Sequence, residues 1–321
     1  MKQFLSVNDV LDISKLVESA KAYKKNPFKN TELGRNKTLG MLFLNPSMRT
    51  RLSTQVAAKR LGMEPVIFNI DKEGWQLEFE DGVIMDGNKS EHVKEAAAVM
   101  GMYFDIMAIR TFPGLKDREE DYQEKYISQF VKHAGVPIVS MESATLHPLQ
   151  SLTDILTMSE NFDFSSGRKP KVVMTWAPHK KALPQSVPNS FAQWTNAWGK
   201  ANFVITHPEG GGYELDEKFT AGATIEYDQE KALEDADFIY VKSWSSYRDY
   251  GKINCTDPSW MMTADKLENT HQAKVMHCLP VRRNLVIGDN ILDGNSSLVV
   301  EEAGNRVWAA QAVLAEILKN I

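Results

Sequence analysis

The sequence predicts an α/β protein with two doubly wound, mostly parallel sheets, and three observations lead there. Short apolar runs with strand character alternate with segments of helical spacing from residue 11 to residue 161. The same alternation restarts after the polar loop Asp163-Phe164-Ser165-Ser166-Gly167-Arg168. A chain of 321 residues, 43% hydrophobic and 25% charged, is long and apolar enough to bury two such cores.

Taken in order, Leu11, Ile13, Leu16, Val17, Ala20 and Tyr23 show the spacing of a helix, and 37–44 reads as a buried strand. A helix follows from Ser47 with Leu52, Val56, Ala57 and Leu61 as its core face, ending at Gly62. Residues 65–70 form the next strand, 91–102 a helix, and 105–111 and 136–141 two further strands. The long helix 149–161 leads into a second set of strands at 171–176, 202–206, 238–242 and 274–278. Residues 303–321 form a C-terminal helix whose apolar face carries Val307, Ala310, Val313, Leu314, Ile317 and Leu318.

Composition narrows the function. A net charge of -5 with no continuous basic face argues against nucleic acid. No run approaches the ~18 apolar residues of a spanning helix, and the N-terminus lacks an apolar leader, so no membrane partner and a cytoplasmic location are expected. The two cysteines, Cys255 and Cys278, suit reduced thiols rather than a disulfide framework or a metal pair.

The most suggestive stretch is Leu44-Asn45-Pro46-Ser47-Met48-Arg49-Thr50-Arg51, which joins an apolar strand to a helix. Ser47 is suited to cap that helix, the backbone N–H groups of its first turn point outward, and Thr50 and Arg49 add a hydroxyl and a fixed charge. This is an anion site in outline. Residues two apart lie on different sides of a helix, so Arg49 rather than Arg51 is assigned to the anion. Other reactive side chains fall at predicted strand ends: Arg110, Glu142, His147, Gln150, His179, Lys242 and Cys278 with Leu279. Ligands of open α/β sheets bind at that edge, so two such domains facing each other would enclose a cleft rich in Arg, Lys and His. Singly, each residue has a plainer role, as the first solvated side chain after a strand or as a helix-start residue. Trp75, in the polar run Asp71-Lys72-Glu73-Gly74-Trp75-Gln76, needs something to cover it. Gly210-Gly211-Gly212 fits neither a dinucleotide fingerprint nor a P-loop.

Ser47-Met48-Arg49-Thr50-Arg51, His147-Pro148-Leu149-Gln150 and His277-Cys278-Leu279-Pro280, in this order, resemble the transcarbamylases that use carbamoyl phosphate. The Cys278 position resembles the ornithine branch. The Ser-Met-Gly motif of ordinary ornithine enzymes is replaced by Val241-Lys242-Ser243-Trp244. Trp176-Ala177-Pro178-His179, the proline-bearing loop 183–190 and Val281-Arg282-Arg283-Asn284 resemble the branch acting on N-acylated ornithine, nearer its succinyl than its acetyl members. The resemblance implies a carbamoyl-phosphate-binding domain over 1–150, an acyl-ornithine-binding domain over 151–300, and a C-terminal helix, 301–321, packing on the first domain. It also implies a homotrimer with sites at subunit interfaces, and a knot at the proline-rich loop.

The resemblance further assigns carbamoyl phosphate to Ser47, Met48, Arg49, Thr50, Trp75 (from a neighbouring subunit), Arg110, His147, Gln150, Cys278, Leu279 and Arg306. Arg110, His147 and Thr50 would polarise the carbonyl where charge develops during attack. Glu142, His179, Lys242, Arg282 and Ser90 would meet the acylated ornithine. At the position of Ser90, acetyl-type relatives carry Glu and succinyl-type relatives Pro; the small neutral side chain favours succinyl. No metal or cofactor is expected. Two other classes share the sheet type, a non-catalytic small-molecule binder and a nucleotide enzyme. The carbonyl-polarising pair Arg110 and His147 argues against the first, and the missing glycine fingerprint against the second.

Overall fold

The computed structural model describes residues 1–321, apart from the side chain of Asp71. The strands are β1 (Thr38–Phe43), β2 (Glu64–Asn69), β3 (Leu77–Glu78), β4 (Glu91–His92), β5 (Ile106–Arg110) and β6 (Ile138–Glu142), then β7 (Lys171–Trp176), β8 (Asn202–Thr206), β9 (Thr224–Glu226), β10 (Phe238–Lys242) and β11 (Lys274–Met276). The chain divides into two compact units. One comprises Met1–Gly114, Glu119–Leu149 and Arg306–Ile321, the other Leu115–Arg118 and Gln150–Asn305.

In the first unit the sheet order is β2-β1-β5-β6 with every pair parallel. In the second it is β11-β10-β7-β8-β9, again parallel throughout. The connections leave β1 toward one edge and return on its other side, and β7 behaves likewise. With right-handed crossovers this reversal puts helices on both faces of each sheet, the doubly wound architecture expected. In the first unit Leu42, Met107, Ile109 and Ile138 pack on Ala96, Ala97, Ile127 and Phe130 from helices Val93–Tyr103 and Lys125–His133. In the second, Val173, Ile239, Val241 and Val275 pack on Ala232, Leu233, Met262 and Ile287.

Strand placement agrees with the sequence reading to within two residues where both exist. Four local expectations are corrected. The helix after β1 runs Arg49–Arg60 with Met48 at its N-cap and no side-chain cap bond, so Ser47 does not cap it. Its buried face is Thr50, Ser53, Thr54, Ala57 and Ala58, whereas Leu52 and Val56 are exposed. The helix does stop where expected, because Gly62 takes φ +83°, a conformation that L side chains rarely adopt. The helix expected at Glu91 begins at Val93, capped by the His92 ring accepting from Lys94 N–H, so Ser90 is not its cap. Residues 186–190 are not loop but the start of helix Ser186–Trp198, where Pro188 in the first turn has no intrahelical bond to lose.

One side chain braces the loop between β6 and helix Pro148–Glu160. Glu124, in the left-handed region at φ 54°, accepts hydrogen bonds from Ser143 Oγ (2.6 Å), Ala144 N (3.1 Å), Thr145 N (2.8 Å) and Thr145 Oγ1 (2.5 Å). Removing it strands two backbone donors. Glu124→Ala should therefore cost roughly 2–4 kcal/mol in chemical denaturation, and Glu124→Gln, which keeps an acceptor oxygen, distinctly less.

Candidate active site

In each sheet the strand order reverses beside one strand, and the carboxyl edge there is where an α/β sheet opens a crevice. In the first unit this is the β1/β5 junction, where Phe43 is in register with Arg110. The turn after Phe43 therefore meets the end of β5. Arg110 Nη1 donates to the carbonyl oxygens of Asn45 (3.2 Å) and Pro46 (3.0 Å), which holds the turn leading to Arg49. Its Nη2 donates to Glu142 Oε2 at 2.6 Å, and the buried Nε–H meets no protein acceptor among the described residues.

Around this ion pair the first unit gathers most of its predicted residues. His147 is buried, with Nε2 3.8 Å from Glu142 Oε2 and Nδ1 without a protein partner among the described residues. Burial, then the positive fields of Arg306, Arg110 and Arg49, hold its imidazole well below the ordinary 6.5, so it is neutral near pH 7. A neutral ring carries one N–H and brings no charge of its own. Arg306, on helix Val299–Leu318, donates through Nη2 to Thr50 Oγ1 at 2.7 Å, which fixes the hydroxyl at the start of helix Arg49–Arg60. Arg49, Arg110 and Arg306 thus all exert positive fields on His147, and Glu142 is paired with Arg110. An uncapped helix N-terminus adds partial positive charge. Ser47 is half-buried and Met48 exposed.

The second unit repeats the device at the β7/β10 junction, where Trp176 is in register with Lys242. His179 follows β7 and Lys242 ends β10. Lys242 Nζ, buried, donates to Ser243 O at 2.9 Å. Arg282 Nε donates to His179 Nε2 at 3.2 Å, and His179 Nδ1 lies 3.0 Å from Lys181 O and 3.1 Å from Lys181 N. Partial burial, with Arg282, Lys242 and Lys181 nearby, lowers the His179 pKa. On the same unit Cys278 and Leu279 follow β11, Leu279 in the left-handed region at φ 55°, and Gln150 is buried on helix Pro148–Glu160.

Glu142, which the resemblance sets with the acyl-ornithine contacts, is engaged with Arg110 and faces His147. Trp75 and Ser90 lie on the segment around β3 and β4. Trp75 is 58% exposed and donates Nε1–H to Glu91 Oε2 at 2.8 Å; Ser90 is exposed. The same segment reaches the sheet edge, because a cavity of about 470 Å³ is lined by Asn45 and Thr111 together with Gln76 and Lys89. Sequence reasoning missed Glu124, Asp154 and Glu302, buried or half-buried carboxylates on helical or turn segments, where an acid ordinarily reads as solvated surface. The only signal for Asp154 was its spacing, four residues past Gln150 on one helix face. Among the described residues no group of His, Cys, Asp and Glu is placed to hold a metal, and no helix is long and apolar enough to cross a membrane.

The His147 environment has a measurable consequence. Below 6.5 the unfolded chain takes up a proton that the folded ring refuses, so this contribution to stability is full above that pH and is lost as pH falls through it. His179 and His207 have lowered pKa values as well, so the difference between proteins isolates the effect. Between pH 7 and 5.5 the unfolding free energy of His147→Gln should fall less steeply than that of the unmodified protein, by up to about 1.4 kcal/mol per pH unit. Parallel slopes in urea titrations would contradict a neutral buried ring.

Comparison with known proteins agrees with this geometry. Residues 2–160 match the aspartate/ornithine carbamoyltransferase carbamoyl-P binding domain, and residues 185–317 match the Asp/Orn binding domain of the same family. N-succinylornithine carbamoyltransferase of Bacteroides fragilis is 50% identical over 323 residues, covering 100% of both chains. N-acetylornithine carbamoyltransferase of Xylella fastidiosa is 32% identical over 337 residues, covering 99% of this chain and 98% of its own. Among solved structures, a glutamate-to-serine variant of N-acetyl-L-ornithine transcarbamylase, complexed with carbamyl phosphate and N-succinyl-L-norvaline, superposes with a TM-score of 0.91 at 31% identity, covering 99% of this chain and 100% of that one. With both halves matched in order and the arginines and His147 gathered at the carboxyl edge of the first sheet, the chain belongs to the aspartate/ornithine carbamoyltransferase family.

Proposed function

We propose that the protein transfers the carbamoyl group of carbamoyl phosphate to the δ-amine of N-succinyl-L-ornithine, giving N-succinyl-L-citrulline and phosphate in arginine biosynthesis. The observation that carries this reading is the cluster at the carboxyl edge of the first sheet, where Arg110 holds both Glu142 and the turn before Arg49, Arg306 holds Thr50, and buried His147 lies beside Glu142. The first turn of helix Arg49–Arg60, with Ser47 and the Met48 amide, receives the phosphate. Arg110 and His147 donate to the carbonyl oxygen as it becomes an oxyanion, with Thr50, held by Arg306, beside them. The neutral imidazole suits that task, since a protonated one would also bind the ground-state phosphate. Gln150 and the carbonyls of Cys278 and Leu279 accept from the carbamoyl NH₂. The δ-amine attacks in its neutral form, and the departing phosphate takes the proton.

On the second unit, Lys242, Arg282 and His179 offer cationic and donor groups for two carboxylates, the α-carboxylate and the distal one of a succinyl group. The 50% identity to N-succinylornithine carbamoyltransferase of Bacteroides fragilis, against 32% to the acetyl enzyme of Xylella fastidiosa, supports the succinyl substrate. Ser90 supports it too. It does not cap the following helix, so its exposed position has no local structural role that dictates serine, and a glutamate there would repel the distal carboxylate. The serine variant of N-acetyl-L-ornithine transcarbamylase with N-succinyl-L-norvaline bound is consistent with that physics. N-acetyl-L-ornithine is the second-ranked acceptor.

The same reading includes a homotrimer with Trp75 reaching a neighbour's site. Met48, Leu52 and Val56 would then be covered by a partner; they form an exposed apolar stripe four residues apart along one helix.

Two measurements test the proposal. With carbamoyl phosphate and ornithine, N-acetylornithine or N-succinylornithine, the highest kcat/KM should fall on the succinyl compound, and Ser90→Glu should shift the preference toward acetyl by roughly tenfold or more. A higher kcat/KM for N-acetylornithine in the unmodified protein would overturn the acyl assignment and leave carbamoyl transfer standing. Mixing inactive Trp75→Ala and Arg49→Ala proteins under subunit exchange should restore part of the activity, because a mixed trimer contains sites with both residues intact. No recovery despite proven exchange would remove Trp75 from the neighbour's site.

A further inference from the structure

The second unit buries two carboxylates beside Gln150. Gln150 Nε2 donates to Asp154 Oδ1 at 2.7 Å and to Glu302 Oε1 at 2.9 Å, and Asp154 and Glu302 are both fully buried. The other oxygen of Glu302, Oε2, accepts the backbone N–H of His277 at 2.9 Å. The His277 ring continues the chain of bonds, its Nδ1 accepting Leu279 N–H at 2.8 Å. One carboxylate on helix Val299–Leu318 thus ties the Gln150 side chain to the backbone that precedes Cys278 and Leu279.

An amide can be turned either way, and here only one way is compatible with its neighbours. With Nε2 toward the carboxylates both contacts are charge-assisted hydrogen bonds; a half-turn would set Oε1 against two carboxylate oxygens. The acceptor Oε1 is therefore directed away from them. At the other end, Glu302 holds the peptide that enters His277, and Leu279 N–H, bonded to the His277 ring, fixes the plane of the peptide that carries the Cys278 carbonyl. Burying two acids is costly unless each is well bonded, so a purely structural role would be served as well by apolar side chains.

We propose that Glu302, assisted by Asp154, is a positioning residue that aims Gln150 Oε1 and the Cys278 and Leu279 carbonyls at the carbamoyl NH₂. The inference rests on the carbamoyltransferase reading and deepens it. It makes recognition of the NH₂ group, rather than of the phosphate, depend on Glu302. Acetyl phosphate, which has a methyl group in place of NH₂, leaves those acceptors without donors and is discriminated against by the same device.

The test uses the full-length protein and its Glu302→Gln, Glu302→Asp, Gln150→Ala and Glu302→Gln/Gln150→Ala variants, assayed for kcat and KM with carbamoyl phosphate and for inhibition by inorganic phosphate and acetyl phosphate. Glu302→Gln should lower kcat/KM for carbamoyl phosphate about tenfold or more, while inhibition by inorganic phosphate changes less than about twofold. The preference for carbamoyl over acetyl phosphate should narrow in step, and Glu302→Asp, which keeps the charge but withdraws it by one methylene, should lie between. The double variant should lose less than the product of the single losses, because both changes disable one acceptor. Retained kcat/KM, loss of phosphate inhibition in parallel with activity, or multiplicative losses would each overturn the inference. An unmodified protein that transfers no carbamoyl group to any ornithine derivative would overturn the functional reading itself, and this inference with it.

Discussion

A parallel sheet brings all its strand ends of one kind to a single edge, and everything chemical in this protein depends on that constraint. Where the strand order reverses, two adjacent strands send their chains away in opposite directions and the turns after them stay side by side. Phe43 beside Arg110 and Trp176 beside Lys242 are the two registers at which this happens. Residues far apart in sequence become neighbours there without any specific attraction, because the ladder of backbone hydrogen bonds sets their spacing.

Electrostatics then decides what those neighbours can do. Arginine cannot shed its charge, so gathering Arg49, Arg110 and Arg306 leaves the nearby groups to adjust. His147 stays neutral, first because it is buried and then because of the arginines' fields, and Glu142 pairs with Arg110 at 2.6 Å. The second unit uses a milder arrangement, with half-buried His179 accepting from exposed Arg282.

The buried and half-buried acids tie down the segments that flank these strand ends. Glu124 ties down the turn before His147, and Glu302 with Asp154 holds Gln150. Glu124 and Glu302 also accept from backbone N–H groups, at Ala144, Thr145 and His277. A site that must distinguish NH₂ from a group of similar size gains from acceptors that cannot turn away.

Strand periodicity, the Gly62 stop and the doubly wound class could be read from the sequence, since they depend on residues adjacent in the chain. The location of Arg110, Glu142, His147, His179 and Lys242 at strand carboxyl ends was legible for the same reason, and the family was legible from three short motifs. Local patterning misled where two roles suit one residue. Ser47 is a good cap, yet Met48 holds that position, because the strand end determines where the helix begins. Leu52 and Val56 read as core but lie outside, since burial depends on which face the sheet presents. The sequence by itself determined which side chains were available and at which end of each strand. Only the tertiary structure decided that three arginines share one imidazole and that Glu302 reaches Gln150, 152 residues away, because a charge-assisted bond between buried groups depends on distances that no local pattern records.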